Sequence, residues 1–110
     1  MTSFASGLAI QADNTDLHKP DRPGNILTIT FIWKNDTVGS IIENNKDVLL
    51  KLYKKHFDDI YDRPIWSSTK SPNRSTLFSS GTLGGMAWLY PHFQQFAEDV
   101  SKLLTKELYK

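Results

Sequence analysis

The chain has 110 residues, with 13 Lys and Arg against 12 Asp and Glu and a net charge of +1 at pH 7. This length predicts one domain over residues 1–110 with one modest core, and the near-neutral charge argues against non-specific nucleic-acid binding as the main role. The absence of cysteine excludes disulfide scaffolds, thiolate nucleophiles and cysteine-ligated metals, and fits a cytoplasmic protein. The sequence predicts neither a signal peptide nor a membrane span.

The N-terminal part of the chain predicts two strands separated by a long loop. A short apolar run favours a strand over Phe4–Gln11, and residues 12–25 are rich in the turn formers Asp, Asn, Pro and Gly. Ile26–Trp33 shows the clearest strand pattern, because apolar residues alternate with threonines that suit a pleated surface. Asn35 and Asp36 then indicate a turn.

The middle of the chain predicts one long helix over residues 40–62. Ser40 and Glu43 have the spacing of a capping box, in which each side chain satisfies a free backbone N–H group at the helix start. The asparagines of the first turns leave a start at Asn45 as an alternative. The helix is expected to end before Pro64, since a proline disfavours helical geometry in the residue that precedes it.

The C-terminal part predicts a loop, two short strands and an amphipathic helix. Residues 65–74 are assigned to the loop, and the strands are expected over residues 75–79 and 86–90. Pro91 suits the first position of a helix, where its missing N–H group costs nothing. Apolar residues at helical spacing follow it, namely Phe93, Phe96, Ala97, Val100, Leu103, Leu104 and Leu108.

The predicted element order is β-β-α-β-β-α. Such an order favours an α+β fold with a mainly antiparallel sheet and two helices on one face. In this arrangement Phe4–Gln11 would be an exposed edge strand, and an unpaired edge would permit a homodimer through extension of the sheet.

One stretch has the composition of an anion-binding turn. Ser79–Gly85 combines small hydroxyl residues with glycines, whose backbone N–H groups can close around a phosphate or carboxylate. The stretch lacks the spacing of a P-loop or of a dinucleotide fingerprint, and a flexible connection between strands explains it as well. A small enzyme or an anion- or nucleotide-binding domain is therefore the alternative hypothesis. Its site would comprise Arg74, Ser79, Ser80, Gly84, Gly85 and His92.

Metal binding and catalysis find little support in the sequence. His56 and Asp59 share a helix face, but no second cluster supplies the further ligands that a metal site requires. Serines and histidines occur without a nucleophile-elbow motif. We therefore assign no catalytic residue, no metal and no cofactor, and the missing signatures favour a binding protein over an enzyme.

The preferred hypothesis is a small binding protein that contacts another protein as a regulator, inhibitor or complex subunit. Trp66 follows the predicted helix in a Ser-rich loop, where an exposed indole could anchor a partner. The alternative is that this indole folds back over the edge of the core. The predicted interface comprises Trp66, Tyr61, Arg63, Asp13, Asp16 and Asp21.

Overall fold

The fold is an antiparallel sheet with helices on one side, which we describe from a computed structural model. The structure describes residues 2–4, 6–19, 22–57, 64–69, 73–81 and 86–110. The strands are β1 (Thr2–Ser3), β2 (Leu8–Lys19), β3 (Arg22–Trp33), β4 (Ile65–Thr69) and β5 (Arg74–Gly81). The helices are α1 (Asp36–Asn44), α2 (Lys46–Phe57) and α3 (Met86–Leu108). The strand order in the sheet is β1-β2-β3-β5-β4.

A long hairpin replaces the loop that was predicted over residues 12–25. Strands β2 and β3 pair continuously from Leu8 opposite Trp33 to Lys19 opposite Arg22. The prediction was wrong because these polar residues have no hydrophobic pattern that would indicate a strand. Pairing with the partner strand satisfies their backbone hydrogen bonds instead. Pro23 is tolerated there because β5 pairs with β3 only from Asn25 onward, so that side of β3 needs no N–H donor at residue 23.

Two helices occupy the region where one was predicted. The first begins at Asp36, and the side chain of Asn35 accepts a 2.9 Å hydrogen bond from the backbone N–H of Val38. The predicted capping box at Ser40 is therefore wrong, since Ser40 lies inside α1. Asn45 separates the helices, and its side-chain amide donates a 2.7 Å hydrogen bond to the carbonyl of Ile41 in competition with the helical pattern.

The predicted loop over residues 65–74 contains strand β4. This strand pairs with β5 from Ile65 opposite Phe78 to Thr69 opposite Arg74. The serines of this segment carry no hydrophobic alternation, so only the pairing with β5 makes it a strand. Strand β5 itself confirms the strand that was predicted over residues 75–79.

The C-terminal helix is longer than predicted, because residues 86–90 form its first turns rather than a strand. Pro91 lies inside the helix instead of at its start. The chain accepts this position because Met, Ala and Leu in the preceding turns favour a helix. The apolar stripe is confirmed in its inner part, where Phe93, Phe96, Ala97, Val100 and Leu104 are buried.

The core lies between the helices and one face of the sheet. Strand β3 contributes Leu27, Ile29, Phe31 and Trp33, and the helices contribute aromatic residues that include Tyr53, Phe57 and Phe96. The hydroxyl of Tyr53 donates a 3.2 Å hydrogen bond to the carbonyl of Leu27, which joins α2 to the centre of the sheet. The predicted α+β class with an antiparallel sheet is thus confirmed, but the described residues follow the order β-β-β-α-α-β-β-α, with three helices instead of the two predicted. Among the described residues, none of the helices combines the length and apolar character needed to cross a membrane.

Candidate functional site

One face of the sheet carries apolar and threonine side chains that the helices leave accessible. In β3 the side chains of Leu27, Ile29 and Phe31 are at most 1% exposed, whereas their neighbours in sequence are partly exposed. This alternation continues through Ser75–Ser79 of β5, and the register places Ile65 of β4 opposite Phe78, so the accessible residues share the side of the sheet opposite the core. We call this surface the open face; it comprises Ile26, Thr28, Thr30, Ile32, Ile65, Thr76 and Phe78.

The strand register arranges the open face into rows. Thr28 lies opposite Phe78, and Phe78 lies opposite Ile65 on the edge strand β4. Residues directly opposite each other in adjacent antiparallel strands have neighbouring side chains, so these three form a continuous row across three strands. Ile65 is 56% exposed, which leaves its apolar side chain at the accessible end of that row.

The rim of the open face is polar and contains both signs of charge. Asp13 on β2 lies opposite Thr28 and is exposed, and Gln11 donates a 3.2 Å hydrogen bond to its carboxylate. Arg74 on β5 lies opposite Ile32 and is also exposed. The open face therefore combines apolar side chains with a middle row of polar ones, Gln11, Thr30 and Thr76, and charged residues border it. Protein-binding surfaces combine apolar, polar and charged area in this way.

Trp66, the predicted anchor, lies on the other side of the sheet. Its ring stacks on Phe31 with centroids 5.7 Å apart and planes inclined by 20°. Its indole N–H donates a 2.8 Å hydrogen bond to the hydroxyl of Ser68. The indole therefore covers the edge of the core, as in the alternative position given above. A role of Trp66 as an anchor for a partner stays a prediction.

The remaining residues of the predicted interface are not gathered at one surface by the described part of the fold. Asp13 lies on the rim of the open face, across the sheet from Trp66. Asp16 belongs to β2, and its side chain lies outside the described part of the structure. Tyr61, Arg63 and Asp21 fall outside the described residues. Their participation in binding stays a prediction.

The possible anion site is also dispersed where the structure describes it. Arg74 and Ser80 are six residues apart on β5, which corresponds to about 20 Å at ~3.3 Å per residue. Ser79 is buried on the core side of the sheet, and the ring of His92 packs against Phe57 with centroids 6.2 Å apart.

The glycines of that turn, Gly84 and Gly85, lie outside the described residues, as does the side chain of Ser80. The anion-binding hypothesis therefore stays a prediction without a described cradle. A phosphate-dependent rise in melting temperature, abolished by replacing both glycines with alanine, would support it.

The sequence did not predict the hydrogen-bonded cluster that surrounds Glu43. The hydroxyls of Ser75 and Ser68 donate to the two carboxylate oxygens of Glu43, the Ser68 contact measuring 3.0 Å. The ammonium group of Lys46 lies 3.2 Å from the same carboxylate. This cluster joins α1 to β4 and β5 beside an open groove of about 680 Å³. The sequence signal was Glu43 itself, which was assigned to the capping box instead.

The environment of Glu43 keeps its carboxylate ionised. Partial burial acts to raise the pKa of Glu43, but the hydrogen bonds from Ser75, Ser68 and Lys46 outweigh this effect and lower the pKa below its ordinary value of 4.5. A carboxylate with occupied oxygens and a lowered pKa is a poor general base. The cluster is therefore suited to holding the helix on the sheet.

This pKa shift predicts an acid-dependent loss of stability. Because the folded-state pKa lies below that of the unfolded chain, the stabilisation is complete above pH 4.5 and is lost as the pH falls through the folded-state value. We expect Glu43→Gln to lower the free energy of unfolding by about 1–2 kcal/mol at pH 7, and by less at pH 3. Urea unfolding at both pH values measures this difference, and an equal loss at both would contradict the role of the charge.

A second ion pair joins α2 to α3. The Nε2 atom of His56 lies 2.7 Å from a carboxylate oxygen of Asp99, and the same oxygen lies 3.4 Å from the Nζ atom of Lys55. The hydrogen bond from His56 is the main cause of the lowered pKa of Asp99. Partial burial acts to raise this pKa, and Lys55 lowers it further. Asp59, which the sequence predicts on the same helix face as His56, lies outside the described residues. Across the described part of the chain, no group of three or more His, Asp or Glu residues could hold a metal ion.

Comparison with known proteins gives no further guide to the site. The sequence matches no protein-family model, and no similar protein is found among curated proteins or solved structures.

Proposed function

We propose that this chain is a small protein-binding protein whose partner docks on the open face of the sheet. In this role it would act as a regulator, an inhibitor or a subunit of a complex. The observation that carries the proposal is the row formed by Thr28, Phe78 and Ile65, in which apolar side chains continue onto an accessible edge strand. The cytoplasmic location expected from the cysteine-free sequence belongs to the same proposal.

The composition of the open face supports this proposal. A sheet face that is exposed to water usually carries polar side chains in alternation with the apolar side chains that face the core. Here the central strand places Ile26 and Ile32 on its accessible side, and β5 adds Phe78. Burying these side chains against a partner would contribute about 25 cal/mol for each Å² removed from water.

The rim supports recognition of one partner over others. Asp13 and Arg74 lie near opposite borders of the open face and carry opposite charges. A partner whose surface matches both charges would be oriented by them, and one that places like charges there would be rejected. The threonines between them offer hydroxyl groups for hydrogen bonds at the contact.

The substitution Thr30→Glu tests the proposal at the middle of the face. Thr30 lies opposite Gln11 on one side and Thr76 on the other, and its side chain is partly exposed. A glutamate there would introduce a charge into the contact and leave the core unchanged. We expect wild-type protein to retain a stoichiometric partner in affinity capture from its native lysate, and the variant to lose it. The loss in the free energy of unfolding should stay within about 1 kcal/mol.

Thr105→Glu is the matched control. Thr105 is exposed on α3, so this substitution makes the same change of charge at a position away from the sheet. This variant should retain the partner. If both variants bind the partner as wild type does, the open face is not the binding surface. If both lose it, the effect comes from net charge and the proposal fails in its present form.

A further inference from the structure

The outer edge of β4 has no charged side chain between Pro64 and Lys70, the residues that flank the strand. β4 is the terminal strand of the sheet and pairs on one side with β5. Its five residues, Ile65 to Thr69, include no charged side chain. Proteins usually protect an edge strand with charged residues or prolines, because its unpaired backbone groups can otherwise bind another strand.

The opposite edge of the same sheet is protected. Strand β1 pairs with β2 at Ala9 and Ile10, which covers part of the Phe4–Gln11 segment where the sequence suggested a homodimer. Further along, β2 carries Asp13, Asp16 and Lys19. Among the described strands, this contrast favours β4 as the one that pairs with a further strand.

We propose that β4 pairs in antiparallel fashion with β4 of a second copy of this chain. A two-fold axis through Ser67 would place Ser67 opposite its own equivalent, Ile65 opposite Thr69, and Trp66 opposite Ser68 of the second copy. Every one of these pairs is uncharged, so the strand meets its own copy without repulsion between like charges. The net charge of +1 also leaves little long-range repulsion between copies.

This inference goes beyond the proposed function, because it concerns the backbone edge of β4 rather than the side chains of the open face. Antiparallel pairing about such an axis would place both open faces on the same side of one continuous sheet. Ile65 would lie next to the boundary between the two copies, where its 56% exposed side chain would gain a neighbour.

Opposite charges introduced at Ser67 test the pairing. Ser67 is exposed, so both Ser67→Lys and Ser67→Glu should keep the wild-type melting temperature at concentrations where the wild type is monomeric. In either variant alone, like charges would meet at the two-fold axis, and we expect the dimer dissociation constant to rise about tenfold or more. An equimolar mixture of the two variants should dimerise again, because a lysine would then face a glutamate.

Sedimentation velocity of the purified chain from low micromolar to several hundred micromolar measures the association. Ser40→Lys is the matched control, since Ser40 is exposed on α1, and it should dimerise as wild type does. A wild-type chain that is monomeric throughout this range overturns the proposal. The edge of β4 would then be a candidate for pairing with a strand of another protein. A dimer that is equally strong in Ser67→Lys also overturns it. Neither result bears on the open face, which Thr30→Glu tests separately.

Discussion

Replacement of Gly39 by alanine should destabilise the fold by about 2 kcal/mol, although the same change stabilises most helices by ~1 kcal/mol. Gly39 is buried within α1 and lies directly against the indole of Trp33. A Cβ atom at this position would overlap the Nε1 atom of Trp33 and lie 2.6 Å from its Cε2 atom. The rigid ring is only 8% exposed, so either α1 or the ring must move.

The expected loss corresponds to a fall in melting temperature of about 10 °C for a domain of this size, which thermal unfolding by circular dichroism measures. Ser40→Ala, at the next and exposed position of the helix, is the control and should change the stability by less than about 0.5 kcal/mol. Combining Gly39→Ala with Trp33→Phe should recover part of the loss, because the smaller ring leaves room for the methyl group. A more stable Gly39→Ala protein would show that α1 does not approach Trp33 this closely.

Replacement of Trp66 by alanine should lower the free energy of unfolding by about 2–3 kcal/mol, somewhat less than the cost of removing a fully buried tryptophan. The variant would lose the ring stack on Phe31, whose side chain is fully buried, and the hydrogen bond to Ser68. It would also expose part of Phe31 to water. Denaturant unfolding followed by far-UV circular dichroism provides the measurement, since the variant lacks one of the reporting indoles.

Trp66→Phe separates the two contributions of the indole. This variant can keep a stacked ring on Phe31 but loses the donor to Ser68, so we expect a loss of about 1 kcal/mol. The competing interpretation, in which Trp66 anchors a partner, makes the opposite prediction. A Trp66→Ala protein with wild-type stability and weakened partner binding would restore that interpretation and contradict the stack.

The two proposals divide the accessible surface of the sheet between different contacts. The open face would bind another protein through side chains such as Phe78 and Thr30, whereas the edge of β4 would bind a second copy through its backbone. Ile65 and Ser67 belong to both regions, since Ser67 lies opposite Thr76 on the open side of the sheet. The two tests have different readouts, partner capture for Thr30→Glu and self-association for Ser67→Lys, so one proposal can fail while the other survives.

Much of the candidate site was visible in the sequence, although its meaning was not. The alternation in Ile26–Trp33 already separates a strongly apolar side from a side with Thr28, Thr30 and Ile32. Which of these sides faces water follows only from where the helices pack. The Glu43 cluster could not be predicted, because Ser68 and Ser75 are 25 and 32 residues away from Glu43 in sequence.

The sequence by itself determined the elements whose pattern is local and strong. The Ile26–Trp33 part of β3 and the inner part of α3 were predicted, because a regular apolar period that continues along a segment is compatible with few other structures. The α+β class followed from the order of these elements. Within the core, burial of Phe31, Phe96 and Val100 agrees with their positions in the two patterns.

Only the tertiary structure decided the conformation of segments whose backbone hydrogen bonds are made with residues distant in sequence. The outer half of the β2–β3 hairpin and strand β4 consist largely of polar residues, which resemble loops until a neighbouring strand accepts and donates their hydrogen bonds. The orientation of Trp66 was decided in the same way, because its place on the core side of β4 depends on the register with β5 and on the contact with Phe31. Strand pairing is non-local, and a shift of one residue would turn every side chain of β4 to the other face.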